Sequence, residues 1–281
     1  MKNSKLAGLT TAIVGVMLGI GSAYAADLPV KAPVVVAPSP SWAGFYIGAN
    51  AGAGSGEGSY TLSPGGCFLT GACGSPALNP LRTFKEDNLN TFFVGGAQAG
   101  YNWQAGNFVY GLEGDINWNG WNNNTANMYN LAAPLVGTFT DAVNTKLNWF
   151  GTVRGRIGVA ASATIMIFGT GGLAYGQVSS STVGAFSAGG DTYAGTASNT
   201  RAGWTAGGGI EWMFAPNWSL KWEYLYIDLG KLNYTDRCTA VCGALATPPA
   251  YATSVQFREQ VFRVGINYHF NPPAAAVVAK Y

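Results

Sequence analysis

From residue 42 onward the chain reads as runs in which apolar side chains alternate with glycine or polar ones, the two-residue period of a β-strand. Eight runs are predicted, at residues 42–54, 91–104, 108–118, 145–159, 164–178, 201–214, 218–230 and 257–270. Each is about 11–15 residues long, more than a soluble strand needs but enough for a tilted strand to cross a bilayer. The connections after the second, fourth and sixth runs are tight: Ala105-Gly106-Asn107, residues 160–163, and Ala215-Pro216-Asn217. Those after the first, third, fifth and seventh are predicted as long loops rich in Gly, Asn, Ser and Thr. Long and short connections in alternation are the pattern of an up-and-down barrel, tight turns at one rim and long loops at the other.

The two faces of these runs differ in chemistry. In 108–118, Phe108, Tyr110, Leu112, Ile116 and Trp118 oppose Glu113, Asp115 and Asn117. In 145–159, Leu147, Trp149, Val153, Ile157 and Val159 oppose Lys146, Asn148, Arg154 and Arg156. Trp204, Ile210, Trp212 and Phe214 oppose Glu211, and Leu220, Trp222, Tyr224 and Tyr226 oppose Lys221 and Glu223. In the last run Phe262, Val264, Ile266, Tyr268 and Phe270 oppose Glu259, Arg263, Asn267 and His269. A soluble β-sandwich turns the apolar face inward, whereas a membrane barrel turns it to lipid, and periodicity alone does not separate the two. Aromatics at the strand ends (Trp42, Trp103, Trp118, Trp204, Trp212, Trp218), loops poor in Lys and Glu, and alternating aromatics in the last run favour the barrel. Residues 157–190 carry no charge, but Gly169, Gly171 and Gly172 break a helical span there and favour two strands.

Composition narrows the class. Charged residues are only 10 % and aromatics 13 %, with 40 glycines in 281 residues. That disfavours a disordered chain, a nucleic-acid binder and a helical enzyme. Lys2 and Lys5 precede an uncharged stretch from Leu6 to Ile20, and Ala23-Tyr24-Ala25 has the small-x-small form of a signal cleavage site. Residues 1–25 are therefore predicted to be a signal peptide cut between Ala25 and Ala26. Without its two lysines, the 15 basic and 13 acidic residues become an equal balance, so the excess charge belongs to export. Residues 26–41, with Pro29, Pro33, Pro38 and Pro40, are predicted to be an extended periplasmic leader, residues 42–270 the barrel, and residues 271–281 a C-terminal tail beginning at Pro272-Pro273.

In an exported chain the cysteines read as disulfide candidates: Cys67 with Cys73 and Cys238 with Cys242 is the simplest of three connectivities. A zinc site fits these spacings poorly, and His269 is the single histidine, so no metal or cofactor is expected. Gly169-Thr170-Gly171-Gly172 and Gly207-Gly208-Gly209 lack the Lys-Ser/Thr and helix start of a phosphate loop.

Ala26-Asp27-Leu28-Pro29, Trp42-Ala43-Gly44-Phe45-Tyr46-Ile47-Gly48, Gly171-Gly172-Leu173-Ala174-Tyr175, Trp222-Glu223-Tyr224-Leu225-Tyr226 and the closing Arg263-Val264-Gly265-Ile266-Asn267-Tyr268-His269-Phe270 resemble the porin-family outer-membrane β-barrels of alphaproteobacteria. The resemblance implies an all-β, eight-stranded, antiparallel, OmpA-like transmembrane barrel with no catalytic residues. In so narrow a bore Glu113, Asp115, Glu211, Glu223 and Glu259 are expected to form an ion network with Arg154, Arg156, Lys221 and Arg263. The tight turn at 215–217 sets Glu211 opposite Lys221. Phe270 or Tyr281 is the expected assembly signal. The expected role is a non-enzymatic surface barrel supporting envelope integrity and loop presentation, with a narrow diffusion channel or a lipid-modifying barrel enzyme as alternatives. The expected partners are outer-membrane lipid, lipopolysaccharide and the assembly machinery, with no nucleic acid.

Overall fold

The computed structural model describes residues 41–65, 84–85, 90–131, 137–187, 189–241 and 250–270. The predicted signal site at Ala25 and Ala26, the leader up to residue 40, Cys67, Cys73, Cys242 and the tail with Tyr281 lie outside the described residues. The strands are β1 (Gly44–Gly65), β2 (Phe84–Lys85), β3 (Asn90–Ala105), β4 (Phe108–Leu131), β5 (Gly137–Ala160), β6 (Ile165–Phe186), β7 (Thr192–Ala215), β8 (Trp218–Ala240) and β9 (Ala250–His269). All pairings are antiparallel, each strand lies beside the next, and β9 closes on β1. Eight long strands thus form a ring, and β2 adds a two-residue ladder against Ser59 and Tyr60.

Register fixes the shape of the ring. Starting at Glu57 and stepping through paired residues (Arg258, Asp228, Trp204, Leu173, Val153, Gly114, Ala99) returns to β1 at Ile47, ten positions from the start. A stagger of ten over eight strands requires a tilt of about 40°. On β4 the lipid-facing set runs from Phe108 to Trp118, a rise of about 25 Å at that tilt, which matches the apolar band of an outer-membrane barrel. Ile157 and Leu173, in the middle of this band, are each 67 % exposed. Trp103, Phe108, Phe214, Trp218 and Phe270 ring its lower edge, and Phe93, Trp118 and Trp204 its upper edge.

The strands do not stop at the upper girdle. β4 continues from Trp118 to Leu131, roughly 30 Å beyond the membrane at the same tilt. Residues expected in long loops are therefore largely strand. β6 ends at Phe186 and β7 begins at Thr192, while β8 and β9 are separated only by residues 241–249. Polar, glycine-rich sequence on these extensions hid them, because outside the bilayer neither face needs a continuous apolar run. The final strand ends at His269, one residue short of expectation, although the Phe270 amide still donates to the Phe45 carbonyl at 2.8 Å.

Two slips alter the expected faces. The β4–β5 register shifts between Trp118 and Trp121, and the β5–β6 register between Leu147 and Phe150. An inserted residue reverses the side that each later residue faces. Leu147, expected on the lipid face, is therefore buried inside, and Lys146, grouped with Arg154 and Arg156, is exposed outside.

Candidate functional site: the filled bore

The bore is occupied in layers. At the turn end Trp42, Val109, Met166, Phe168 and Met213 form an apolar floor. The Arg156 guanidinium lies 4.2 Å above the Phe168 ring and leads into the charged layer.

That layer holds four acids and four bases. Register places Arg154 opposite Glu113, and its side chain bonds Glu113 Oε1, Asp115 Oδ2 at 2.9 Å and Glu223 Oε1 at 2.7 Å. Arg263, from β9, reaches Asp115 Oδ2 at 2.8 Å and Glu223 Oε2 at 2.7 Å. Lys221 Nζ donates to both Glu113 oxygens at 2.8 Å, and Arg156 Nη2 pairs with Glu211 Oε2 at 2.7 Å. These eight side chains are buried. A charge taken from water into such a space is tolerated only when paired and further hydrogen-bonded. Neutral side chains on the same inward-facing positions supply those bonds. Tyr46 donates to Glu113 Oε2 at 2.7 Å, Thr152 to Asp115 at 2.8 Å, and Asn267 to Glu211 Oε1 at 2.7 Å. Sequence reasoning passed over Tyr46, Thr152 and Ser219 as members of this layer. For Thr152 and Ser219 the signal was parity with Arg154 and Lys221 on the same strands, β5 and β8.

Glu259 does not join the network. It faces the bore one layer higher, where Asn119 donates to its Oε2 at 2.6 Å and its Oε1 has no partner among the described residues. Removing it from the expected set leaves equal numbers of positive and negative groups. Its neighbours belong to an apolar layer of Val94, Trp121, Phe150, Leu225, Ile227 and Phe257, which fills the bore above the ions. Trp121 stacks on Phe92 with centroids 6.0 Å apart and meets the edge of Phe257 at 5.7 Å. Glycine makes room for it: a Cβ on Gly56 would stand 2.4 Å from the indole. Nearer the outer rim come Asp141 and Tyr60, then a cap of Leu62, Phe139, Tyr193 and Tyr251.

His269 meets a serine and a glutamate, yet the geometry is not that of a nucleophilic triad. Ser219 Oγ and Glu211 Oε1 both approach Nε2, at 2.8 and 3.4 Å, while Nδ1, the atom a triad acid would hold, has no partner among the described residues. Trp42 covers the ring at 5.9 Å. Cys238 stands near the outer end of β8, opposite Tyr193. Phe270 lies 48 % exposed at the lower rim, its ring 5.6 Å from Phe45.

A staggered ring of this kind, with apolar residues outward and charges inward, is the architecture of a bacterial outer-membrane barrel. Residues 13–270 match the family model described as the outer membrane protein beta-barrel domain. The chain belongs to that family. Its relatives include the 31 kDa outer-membrane immunogenic protein of Brucella melitensis, 38 % identical over 264 residues that cover 89 % of this chain and 94 % of the relative. The 22 kDa outer membrane protein of Rhizobium leguminosarum bv. viciae is 29 % identical over 134 residues, 48 % of this chain and 41 % of that one. Among solved structures, the outer membrane protein OprG from Pseudomonas aeruginosa aligns with 81 % of this chain and 97 % of its own at 12 % identity, with a TM-score of 0.42. Membership in this family places the barrel in the outer membrane, with the strand extensions on the outer side and the tight turns toward the periplasm.

Proposed function

We propose that the protein is a non-enzymatic, non-conducting surface barrel that supports envelope integrity and holds its outer loops well clear of the membrane. The observation that carries this reading is the balanced four-against-four ion network across the bore, with apolar layers above and below it. A pore selecting one ion sign would line its bore with a surplus of the opposite charge. The enzyme alternative finds no support at His269, which is buried with no partner for its second nitrogen among the described residues. The Brucella relative is named as immunogenic, which agrees with outer segments exposed at the cell surface. The partners in this reading are the surrounding lipid, lipopolysaccharide and the assembly machinery that recognises an aromatic end of the last strand. Liposomes carrying the folded protein, placed in an isotonic small sugar, are expected to swell no faster than empty liposomes. Rapid swelling would favour the diffusion channel.

A further inference from the structure

The lipid-facing band carries no charged side chain among the described residues, and outward charges begin just above the upper girdle. On one side of the barrel they gather at the boundary between β7 and β8. There the ladder lapses: Ala194 pairs with Arg237 and Trp204 with Asp228, but no pairs are formed between them. β8 bulges at Gly230, whose φ is +73°, with its amide held by Asp228 Oδ1 at 2.8 Å. Arg201 reaches this bulge, its Nη2 lying 3.7 Å from where a side chain on Gly230 would start. Its Nε is buried without a partner, and the side chain makes no ion pair or hydrogen bond among the described residues. Lys231, the next residue on β8, is exposed. Arg258, on β9, is held by Asp228 at 3.0 Å, and Glu57 stands opposite it in register, so three cations share two carboxylates, and neither Arg201 nor Lys231 makes an ion pair among the described residues. Trp204 and Tyr226 lie directly below, ring centroids 5.3 Å apart, and mark the edge of the hydrocarbon.

We propose that Arg201 and Lys231 bind an oxyanion in the headgroup of an outer-leaflet glycolipid, of the lipid A class, at the β7–β8 seam. A guanidinium whose Nη groups have no partner among the described residues suits a two-point grip on a phosphate or carboxylate, and the exposed Lys231, one residue past the bulge that Arg201 reaches, adds charge. The height selects the source. Directly above an outer aromatic girdle, the anions at hand are those of the outer leaflet, whose acyl chains would lie along the exposed faces of Leu173, Trp204 and Ile210. The site is independent of whether the bore conducts.

The test is native mass spectrometry of the full folded chain in detergent, with bisphosphorylated lipid A, dephosphorylated lipid A and phosphatidylglycerol as separate probes. Folding of each variant is checked by its heat-modifiable gel shift. Lipid A is expected to bind in preference to the other two, and Arg201→Gln with Lys231→Gln to weaken it by about tenfold or more. Arg201→Lys keeps the charge but loses the two-point grip and is expected to bind between the unmutated chain and the double variant, and Lys146→Gln, on β5 two strands away, to leave binding unchanged. Should the double variant fail to fold, Lys231→Gln alone against Arg201→Lys carries the comparison. Equal binding by the double variant or Lys231→Gln, equal binding of dephosphorylated lipid A or phosphatidylglycerol, or equal loss in Lys146→Gln would overturn the proposal.

Discussion

Glu211 and Lys221 face each other in register across the β7–β8 hairpin, and each takes its ion-pair partner from a different strand. Glu211 is paired by Arg156 on β5 at 2.7 Å, and Lys221 by Glu113 on β4 at 2.8 Å. The charged layer is therefore knit across the bore and not only along its wall. Neighbouring strands are already tied by their backbone ladder. Bonds from β4 to β8 and from β5 to β7 add what the ladder cannot, a brace between walls that share no hydrogen-bonded edge.

A brace of this kind makes single deletions costly. Arg154→Met leaves Glu113, Asp115 and Glu223 with less compensation in a buried space, and is expected to destabilise the barrel by about 3–5 kcal/mol. Urea unfolding in lipid vesicles measures this. Arg156→Met and Glu211→Gln together are expected to cost less than the two separate losses combined, since each single variant strands the other's charge. Strict additivity would mean that the pair is not coupled.

The apolar layer should matter as much as the ions. Trp121→Ala removes a buried indole packed on Phe92 and Phe257 and is expected to cost about 3–5 kcal/mol in the same assay. Gly56→Leu drives a side chain into that indole and should also destabilise, with Trp121→Ala in the same chain relieving part of the strain.

Asp236 gives the outer rim a pH dependence. It is buried near the outer end of β8, and burial pushes its carboxyl up to about 6, with the hydrogen bond from Thr253 opposing the shift. The folded value lies above the unfolded one, so the folded state holds its proton more tightly. Rim stability is therefore fully present below about pH 4, falls as pH rises toward 6, and stays lower by up to about 3 kcal/mol above that. Hydrogen exchange of β8 and β9 amides beyond the girdle should accelerate from pH 4 to 7 after correction for intrinsic rates. Asp236→Asn should flatten the dependence, and an unchanged slope would remove Asp236 as its source.

At the other rim, Phe270→Ala is expected to lower assembly yield more than truncation after Phe270, because it removes the ring that packs on Phe45 at the β1–β9 seam, centroids 5.6 Å apart, whereas the truncation keeps it. Outer-membrane yields of the heat-modifiable form compare the two. Normal assembly of Phe270→Ala would move the signal away from this residue.

The membrane-spanning half of the barrel was legible because lipid imposes a strict period: Phe108 to Trp118 must alternate, and they do. Register was legible only where a turn fixes the count, as at Glu211 and Lys221. The slips at Trp118–Trp121, between β4 and β5, and at Leu147–Phe150, between β5 and β6, break the count, and no pattern in the residues announces them. The apolar layer was missed for a related reason. Leu225, Ile227 and Val261 share the parity of Lys221 and Arg263, but apolar residues had been allotted to lipid. Above the girdle water touches the outer face, alternation loses its cause, and strands such as 119–131 read as loop.

The most direct measurement is single-channel recording of the folded chain in a planar bilayer, beside Glu211→Ala with Lys221→Ala. If the layered side chains close the bore, the unmutated protein gives no steady conductance, and the double variant gives at most brief, small openings. A large, sustained conductance from the unmutated protein would contradict the closed barrel and establish a channel in its place.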